Sequence, residues 1–198
     1  MRDIAAAAGM SLGAAYYYFG SKEAIVHAYY RNVHEEWQRR GRALFAASAD
    51  LDQRIRGLYH LHFAIVGRDR PLLSALVRRV ADPASELAVF AKQTGDAREG
   101  SIAVWREALD LPEIPEHLRD LAALGLWLGN LGLMLYFVWD GSRGQARTKK
   151  LIDASVQAIL PLVPLLSFPF AAPMIAELEG LLADAGLTPK LTKRLRKI

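Results

Sequence analysis

Apolar residues recur every three or four positions along most of this 198-residue chain, which is the spacing of amphipathic α-helices. In the long stretch after the first twenty residues, Ile25, Tyr29, Val33, Trp37 and Leu44 fall close to one helical face. We find no alternating pattern typical of strands and no internal repeat. The pattern therefore predicts an all-α protein.

Capping residues, glycine and proline predict where the helices begin and end. A first short helix is expected to end at Gly9, a second to run from Ser11 to about Phe19, and a third to begin at Ser21. Later helices are expected to begin at Asp50 or Asp52, after Arg70-Pro71, at Asp82-Pro83, near Pro115, near Gln145 and near residue 173. Residues 95–101 should weaken or bend the helix that Asp82-Pro83 opens, and the two prolines in 110–116 predict a loop.

Residues 121–139 carry no charged side chain, and Asn130 is their only polar residue. The length satisfies the criterion for a transmembrane helix, and the Gly125/Gly129 spacing lets helices approach closely. The alternative is a central helix buried by its own domain and by a second subunit. We favour the buried helix, since the rest of the chain has a soluble character, and we expect no membrane partner.

Composition adds few constraints. The hydrophobic fraction of 52% and the charged fraction of 23% are ordinary for a globular protein. A net charge of +4 is compatible with nucleic-acid binding without demonstrating it. The absence of cysteine excludes disulfides, thiolate catalysis and Cys-ligated metals. No signal peptide is evident at the N-terminus, so we expect a cytoplasmic protein.

Residues 2–19 have the layout of a helix-turn-helix, two short helices joined by Gly9, Met10 and Ser11. The tyrosines at 16–18 span about 200° of the second helix, so at least one must face outward. An exposed phenol can donate to a DNA phosphate while its ring packs against sugar or a thymine methyl. The alternative is that two of these rings simply cover the small domain.

Lys22 lies in the first turn of the third helix, where a cation opposes the helix dipole at a cost of up to about 1 kcal/mol. A phosphate held between this helix N-terminus and the ammonium group would reverse that effect. A solvated lysine is the alternative.

Residues 2–30 closely resemble the second and third helices, and the start of the fourth, of TetR-family regulators. The matching motifs are Ile4-Ala5, Ala8-Gly9, Ser11, Tyr16 to Phe19, and Ser21-Lys22-Glu23. The resemblance implies that Leu12, Gly13, Ala14 and Tyr16 face the bases and that Ser11, Tyr17, Tyr18 and Lys22 contact the DNA backbone. Base recognition would be mostly apolar and steric, because no Arg, Asn or Gln is available for bidentate contacts.

The same resemblance implies a DNA-binding region with its connecting helix at 1–45 and a ligand-binding and dimerisation domain at 46–198. The match begins at the family's second helix, so the first helix of the family's DNA-binding domain has no counterpart in the sequence. We therefore expect Ile4, Ala8, Phe19 and Ile25 to expose apolar surface. Either the sequence starts too late or this form binds DNA poorly.

No enzyme, metal or cofactor site is expected. His60 and His62 would point to nearly opposite sides of a helix, and two turns separate His27 from His34 by about 10 Å. Neither a His-Glu-x-x-His motif nor a Gly-x-Ser-x-Gly motif is present.

A ligand pocket is expected in the C-terminal domain because aromatic residues are frequent there, with His62 or Asn130 orienting an apolar effector. The candidate lining residues are Tyr59, His62, Phe63, Trp105, Trp127, Asn130 and Phe137. The alternative for each is an ordinary place in the core.

By the resemblance, the helices near 115–139 and 145–160 pair in a homodimer, with the glycines at 125, 129 and 132 allowing close approach. The expected function is a repressor released from a double-stranded DNA operator by a small apolar effector. The competing hypothesis is a helical module that binds ligand or dimerises without binding DNA. The five basic residues of the tail 188–198 are either solvated or in contact with phosphate.

Overall fold

The computed structural model describes residues 1–187, and within that range it contains helices and turns but no strand. The all-α prediction is confirmed. The basic tail at 188–198 lies outside the described residues. The α-helices are α1 (Arg2–Ala7), α2 (Leu12–Tyr18), α3 (Lys22–Ala47), α4 (Leu51–Val66), α5 (Arg70–Ala81), α6 (Gly95–Ala108), α7 (Glu116–Trp139), α8 (Ala146–Ile159) and α9 (Ala171–Asp184).

Side-chain caps fix the starts of three helices, as the sequence predicts. The Ser11 hydroxyl oxygen accepts from the backbone N–H of Ala14 at 3.1 Å, and Ser21 does the same for Ala24 at 3.0 Å. Asp50, rather than Asp52, caps α4 through a 2.8 Å bond to the N–H of Gln53. Each cap stabilises its helix by about 1 kcal/mol.

The segment from 82 to 94, here called the 82–94 connector, contradicts the expected helix at Asp82-Pro83. It forms turns because its side chains bond the local backbone: Asp82 accepts from the N–H of Ala84 at 3.0 Å, and Ser85 from that of Leu87 at 3.2 Å. Such bonds compete with a helix. Residues 95–101, expected to weaken a helix, instead form the first half of α6.

The core lies among α3, α4, α6, α7 and α8, around a fully buried Trp105 and Leu58. The indole N–H of Trp37 on α3 donates to the carbonyl of Leu58 on α4 at 3.1 Å. Helix α7 is long and apolar enough to cross a membrane by length and composition. In the fold it packs against α6, with Leu124, Trp127 and Phe137 among its buried residues, and core helices of water-soluble proteins can be equally long and apolar.

Helix α5 connects two distant helix ends. At its start, the Arg70 guanidinium donates to the carbonyls of Phe137, Val138 and Asp140 at the C-terminus of α7, over 2.6 to 3.2 Å. Near its other end, Arg79 forms a 3.3 Å ion pair with Glu23 in the first turn of α3. A shift of α5 would therefore act on both helices.

Candidate DNA interface and ligand cavity

The first two helices form a helix-turn-helix that packs through small side chains. Ala5 on α1 and Ala15 on α2 are buried, with exposed fractions of 2% and 3%. Gly9 between them has φ +67°, a left-handed conformation that a side chain would disfavour. The N–H of Met10 then donates to the Ala5 carbonyl at 3.0 Å, which closes the turn and directs the chain into α2.

The outer face of this motif carries the three consecutive tyrosines. Tyr16, Tyr17 and Tyr18 are 52%, 85% and 68% exposed, and the rings of Tyr17 and Tyr18 meet edge to face at 5.4 Å. Phenol side chains are thus presented to solvent at the C-terminal end of α2, a few residues before the start of α3. The other residues predicted to contact DNA lie at the starts of these two helices: Ser11, Leu12, Gly13 and Lys22 are exposed, and Ala14 is half-buried.

Apolar side chains also reach the surface of this motif. Ile4, Met10 and Phe19 are 36% to 40% exposed, Ala8 is exposed, and Ile25 is half-buried. Apolar surface that is contiguous with a small core is a typical site for a further packing element.

A cavity of about 360 Å³ lies behind the helix-turn-helix, in the helical domain. One wall is α5, which contributes Leu73, Leu76, Val77 and Val80. Helices α3, α4, α6 and α7 and the 82–94 connector complete the lining, which is mostly apolar. A volume of this size is in the range of small-molecule sites.

Three of the predicted pocket residues, His62, Trp127 and Asn130, border this cavity. The other four, Tyr59, Phe63, Trp105 and Phe137, pack against one another in the core and are not part of its lining. The rings of Tyr59 and Trp105 lie 4.4 Å apart, and those of Phe63 and Phe137 lie 5.1 Å apart. Aromatic residue type alone did not distinguish a ring that lines a cavity from one that fills the core.

The sequence reasoning missed the contribution of α3 to the cavity. Tyr29, Tyr30, Val33, His34 and Trp37 all line it, so the helix that begins beside the tyrosine cluster also forms a cavity wall. The available signal was the presence of Tyr30 and His34 next to the apolar face that carries Tyr29.

Neutral polar groups mark one region of the cavity. The Nδ1–H of His62 donates to Oδ1 of Asn130 at 3.0 Å. Burial lowers the pKa of His62 to about 4 despite the opposing effect of the hydrogen bond to Asn130, with a smaller lowering from His34, so the imidazole is neutral near pH 7. Burial also lowers the pKa of His34 and raises that of Tyr30 to about 12. No carboxylate occurs among the lining residues that the structure describes.

An exposed apolar stripe runs along α7. Gly125, Leu128, Gly132, Leu135 and Trp139 are exposed and follow one another at alternating steps of three and four residues. This is the spacing of a seam that pairs with another helix. On α8, Leu151 and Ile159 are likewise 39% and 48% exposed.

Comparison with known protein families gives two matches. Residues 54–168, more than half of the chain, match the model described as "Tetracyclin repressor-like, C-terminal domain". Residues 1–29 match the model described as "Bacterial regulatory proteins, tetR family". No curated protein matches the chain.

Proposed function

The chain belongs to the TetR family of DNA-binding transcriptional regulators, and on that premise we propose that it is a repressor released from its operator by a small apolar effector. We assign residues 1–45 to the DNA-binding region with its connecting helix, and 46–198 to the ligand-binding and dimerisation domain. Regulators of this family are generally cytoplasmic and not enzymes, and we propose the same here, without a membrane partner.

The observation that supports the DNA contact is the exposure of three consecutive tyrosines at the end of the capped helix α2, just before the capped start of α3. Phosphate oxygens of the duplex accept hydrogen bonds from the side chains of Ser11, Tyr17, Tyr18 and Lys22. The base edges are read by a second set on the same helix: Leu12, Gly13, Ala14 and Tyr16. Specificity then comes from thymine methyl groups and groove shape rather than from bidentate hydrogen bonds.

We infer a homodimer through α7 and α8, which presents two helix-turn-helix motifs to the operator. The apolar stripe on α7 supports this assignment, because an exposed seam of this length is covered in most soluble proteins. Two-fold symmetry places the two α2 helices on successive turns of one face of the duplex, which matches a near-palindromic operator.

Effector release follows from the two roles of α3. Its first turn carries Lys22 and Glu23, and its next turns line the cavity. A ligand that separates α5 from α3 strains the Arg79–Glu23 ion pair and tilts α3. The recognition helix α2, which directly precedes α3, then changes its orientation. The ligand acts only through its different affinities for the two arrangements.

A helical module that dimerises or binds ligand without binding DNA is the second candidate. The exposed Ile4, Met10 and Phe19 favour this candidate, since a DNA-binding domain whose apolar side chains are uncovered has low stability.

Both candidate functions are tested by selecting a duplex from a random pool and then measuring its binding by fluorescence anisotropy at several salt concentrations. We expect Tyr17→Ala and Lys22→Ala to weaken binding about five- to tenfold, and Lys22→Ala to lower the salt slope by about 1. Tyr17→Phe isolates the hydroxyl, and Lys92→Ala, at an exposed position of the 82–94 connector, is the control for loss of a cation. If the full chain binds no duplex at low salt, or both variants bind normally, the DNA-binding proposal is wrong.

A further inference from the structure

We propose that the 82–94 connector is a lid over the cavity, and that its opening sets the rate at which an effector enters and leaves. The inference rests on the proposed effector function and adds the route by which the effector reaches its site. It starts from the position of the connector between the cavity and solvent.

The connector is a wall one chain thick. Leu87 and Val89 line the cavity, whereas Glu86 and Phe90, their neighbours in sequence, are exposed. Leu87 is only 3% exposed, and Phe90 is 55% exposed. Neighbouring side chains therefore point to opposite sides of the same segment, and an outward displacement of this segment opens the cavity to solvent.

The cavity reaches the surface at both ends of the connector. Ala81, just before the connector, and Ala97, shortly after it, line the cavity and are exposed. Leu135 is the third exposed residue of the described lining, and it belongs to the stripe on α7 that the proposed dimer covers. The connector thus marks the side of the cavity that stays accessible in a dimer.

Most hydrogen bonds of the connector are internal. The hydroxyl of Thr94 donates to the carbonyl of Ala88 at 2.7 Å, and the side chains of Asp82 and Ser85 accept from N–H groups of the same segment. These bonds are kept when the segment moves as a unit, so opening does not require the connector to unfold.

Val89 fastens the connector to the helices on either side. Its N–H donates to the carbonyl of Val80 on α5 at 3.0 Å, and its carbonyl oxygen accepts from Nη1 of Arg98 on α6 at 3.0 Å. Both bonds join the lid to its frame at a single peptide position. The bond from Arg98 is the one that a side-chain substitution can remove.

A ring contact holds the outer edge of the lid. The ring of Phe90 meets that of Trp127 edge to face, with 6.1 Å between the centroids. Trp127 is buried and lines the cavity, so the exposed Phe90 covers a lining residue from outside. An aromatic pair of this kind adds a modest stabilisation to the closed position.

The kinetic consequence distinguishes a lid from a ligand contact. The bond from Arg98 and the Phe90–Trp127 contact exist only in the closed state, whether or not the cavity is filled. Removing either one raises the open fraction of the free and of the occupied protein by the same factor. Association and dissociation then become faster together, and the equilibrium dissociation constant stays unchanged.

Stopped-flow fluorescence with N-phenyl-1-naphthylamine, an uncharged probe that becomes brighter in apolar surroundings, tests the proposal on the full-length protein at pH 7.5. Arg98→Met should raise both rate constants about tenfold, the effect of one hydrogen bond, and Phe90→Ala about fivefold. The dissociation constant should change by less than about twofold in each variant. Arg39→Met and Phe170→Ala, at exposed positions outside the lining, are the matched controls and should change neither rate.

A reversible cross-link tests the movement directly. The chain has no cysteine, so Val80→Cys combined with Val89→Cys introduces the only thiol pair. The two residues share a backbone hydrogen bond and both line the cavity, which brings their α-carbons into the range that a disulfide spans. The oxidised protein should exchange the probe at least about tenfold more slowly in both directions than the same protein after reduction.

Each contrary outcome has a distinct meaning. A faster dissociation with weakened affinity and unchanged association would show that Arg98 and Phe90 contact the ligand, and the lid would be refuted. Unchanged rates in both variants, or equal exchange in the oxidised and reduced proteins, would also refute it while leaving the effector function in place. Val77→Trp fills the cavity from α5, so an equal probe signal in this variant and the wild type would refute the cavity as the effector site, and the lid with it.

Discussion

Acidification should destabilise this protein through His62. The folded state keeps this imidazole neutral, with a pKa of about 4 against an ordinary value of 6.5. Between these values the unfolded chain binds a proton that the folded chain excludes, so stability falls as pH drops through 6.5 towards 4 and is level above about pH 7. His34 on α3, whose pKa is also lowered by burial, contributes in the same direction.

The size of the effect follows from the two pKa values. At pH 5 the unfolded imidazole is almost fully protonated and the folded one is mostly neutral. The difference corresponds to about 1.5 pKa units, or about 2 kcal/mol of unfolding free energy lost relative to pH 7.5. That is a large part of the stability of an ordinary domain.

Urea denaturation of the wild type and of His62→Gln, at pH 7.5, 6.5 and 5.0 and at one protein concentration, measures this contribution. The glutamine side chain is neutral throughout, so the wild type should lose about 2 kcal/mol more than the variant between pH 7.5 and 5.0. His117→Gln, at an exposed position of α7, is the control for loss of an imidazole. Parallel losses in wild type and His62→Gln would show that His62 is not buried as described.

Three further outcomes are expected. Leu58→Ala should lower the unfolding free energy by about 3 kcal/mol because Leu58 is fully buried, whereas Leu72→Ala, at a 38% exposed position, should cost less than about 1 kcal/mol in the same urea titration. Leu128→Asp, on the stripe of α7, should convert dimer to monomer in sedimentation velocity, and an unchanged dimer would exclude this face. Arg79→Ala and Glu23→Ala should reduce the effector's influence on DNA affinity equally and not additively in anisotropy titrations; additive effects would mean that the ion pair does not transmit it.

Local chemistry predicted the helix-turn-helix well because its boundaries depend on neighbouring residues. Ser11 and Ser21 cap helices through bonds that span only three positions, and Gly9 supplies a positive φ that few other residues adopt. The exposure of at least one tyrosine followed from helix geometry alone. The same logic failed at Asp82-Pro83, where a helix-starting pair is followed by Ser85 and Thr94, whose side chains bond the backbone of turns instead.

The cavity could not be predicted in the same way, since it depends on which faces of distant helices meet. Trp105 and Phe63 are as aromatic as Trp127, yet they contact other rings in the core while Trp127 borders the cavity. The walls contributed by α5 are ordinary leucines and valines. Only the packed arrangement distinguishes the side of these residues that faces empty space.

Thermodynamic linkage gives a test of the effector proposal that does not require knowing the natural effector. If a small aromatic probe such as 2-naphthol lowers operator affinity by some factor, the operator must lower the affinity for the probe by the same factor, because both reflect one coupling free energy. Calorimetric titration of 2-naphthol with and without saturating selected duplex, set beside anisotropy titrations of the duplex with and without 2-naphthol, measures the factor in both directions. A coupling of about 1 to 3 kcal/mol, or roughly 5- to 150-fold, is typical of allosteric proteins. A factor of one in both directions would mean that α3 and α5 do not rearrange when the cavity fills, and the helix that joins the cavity to the tyrosine cluster would then be a rigid support rather than a transmitter.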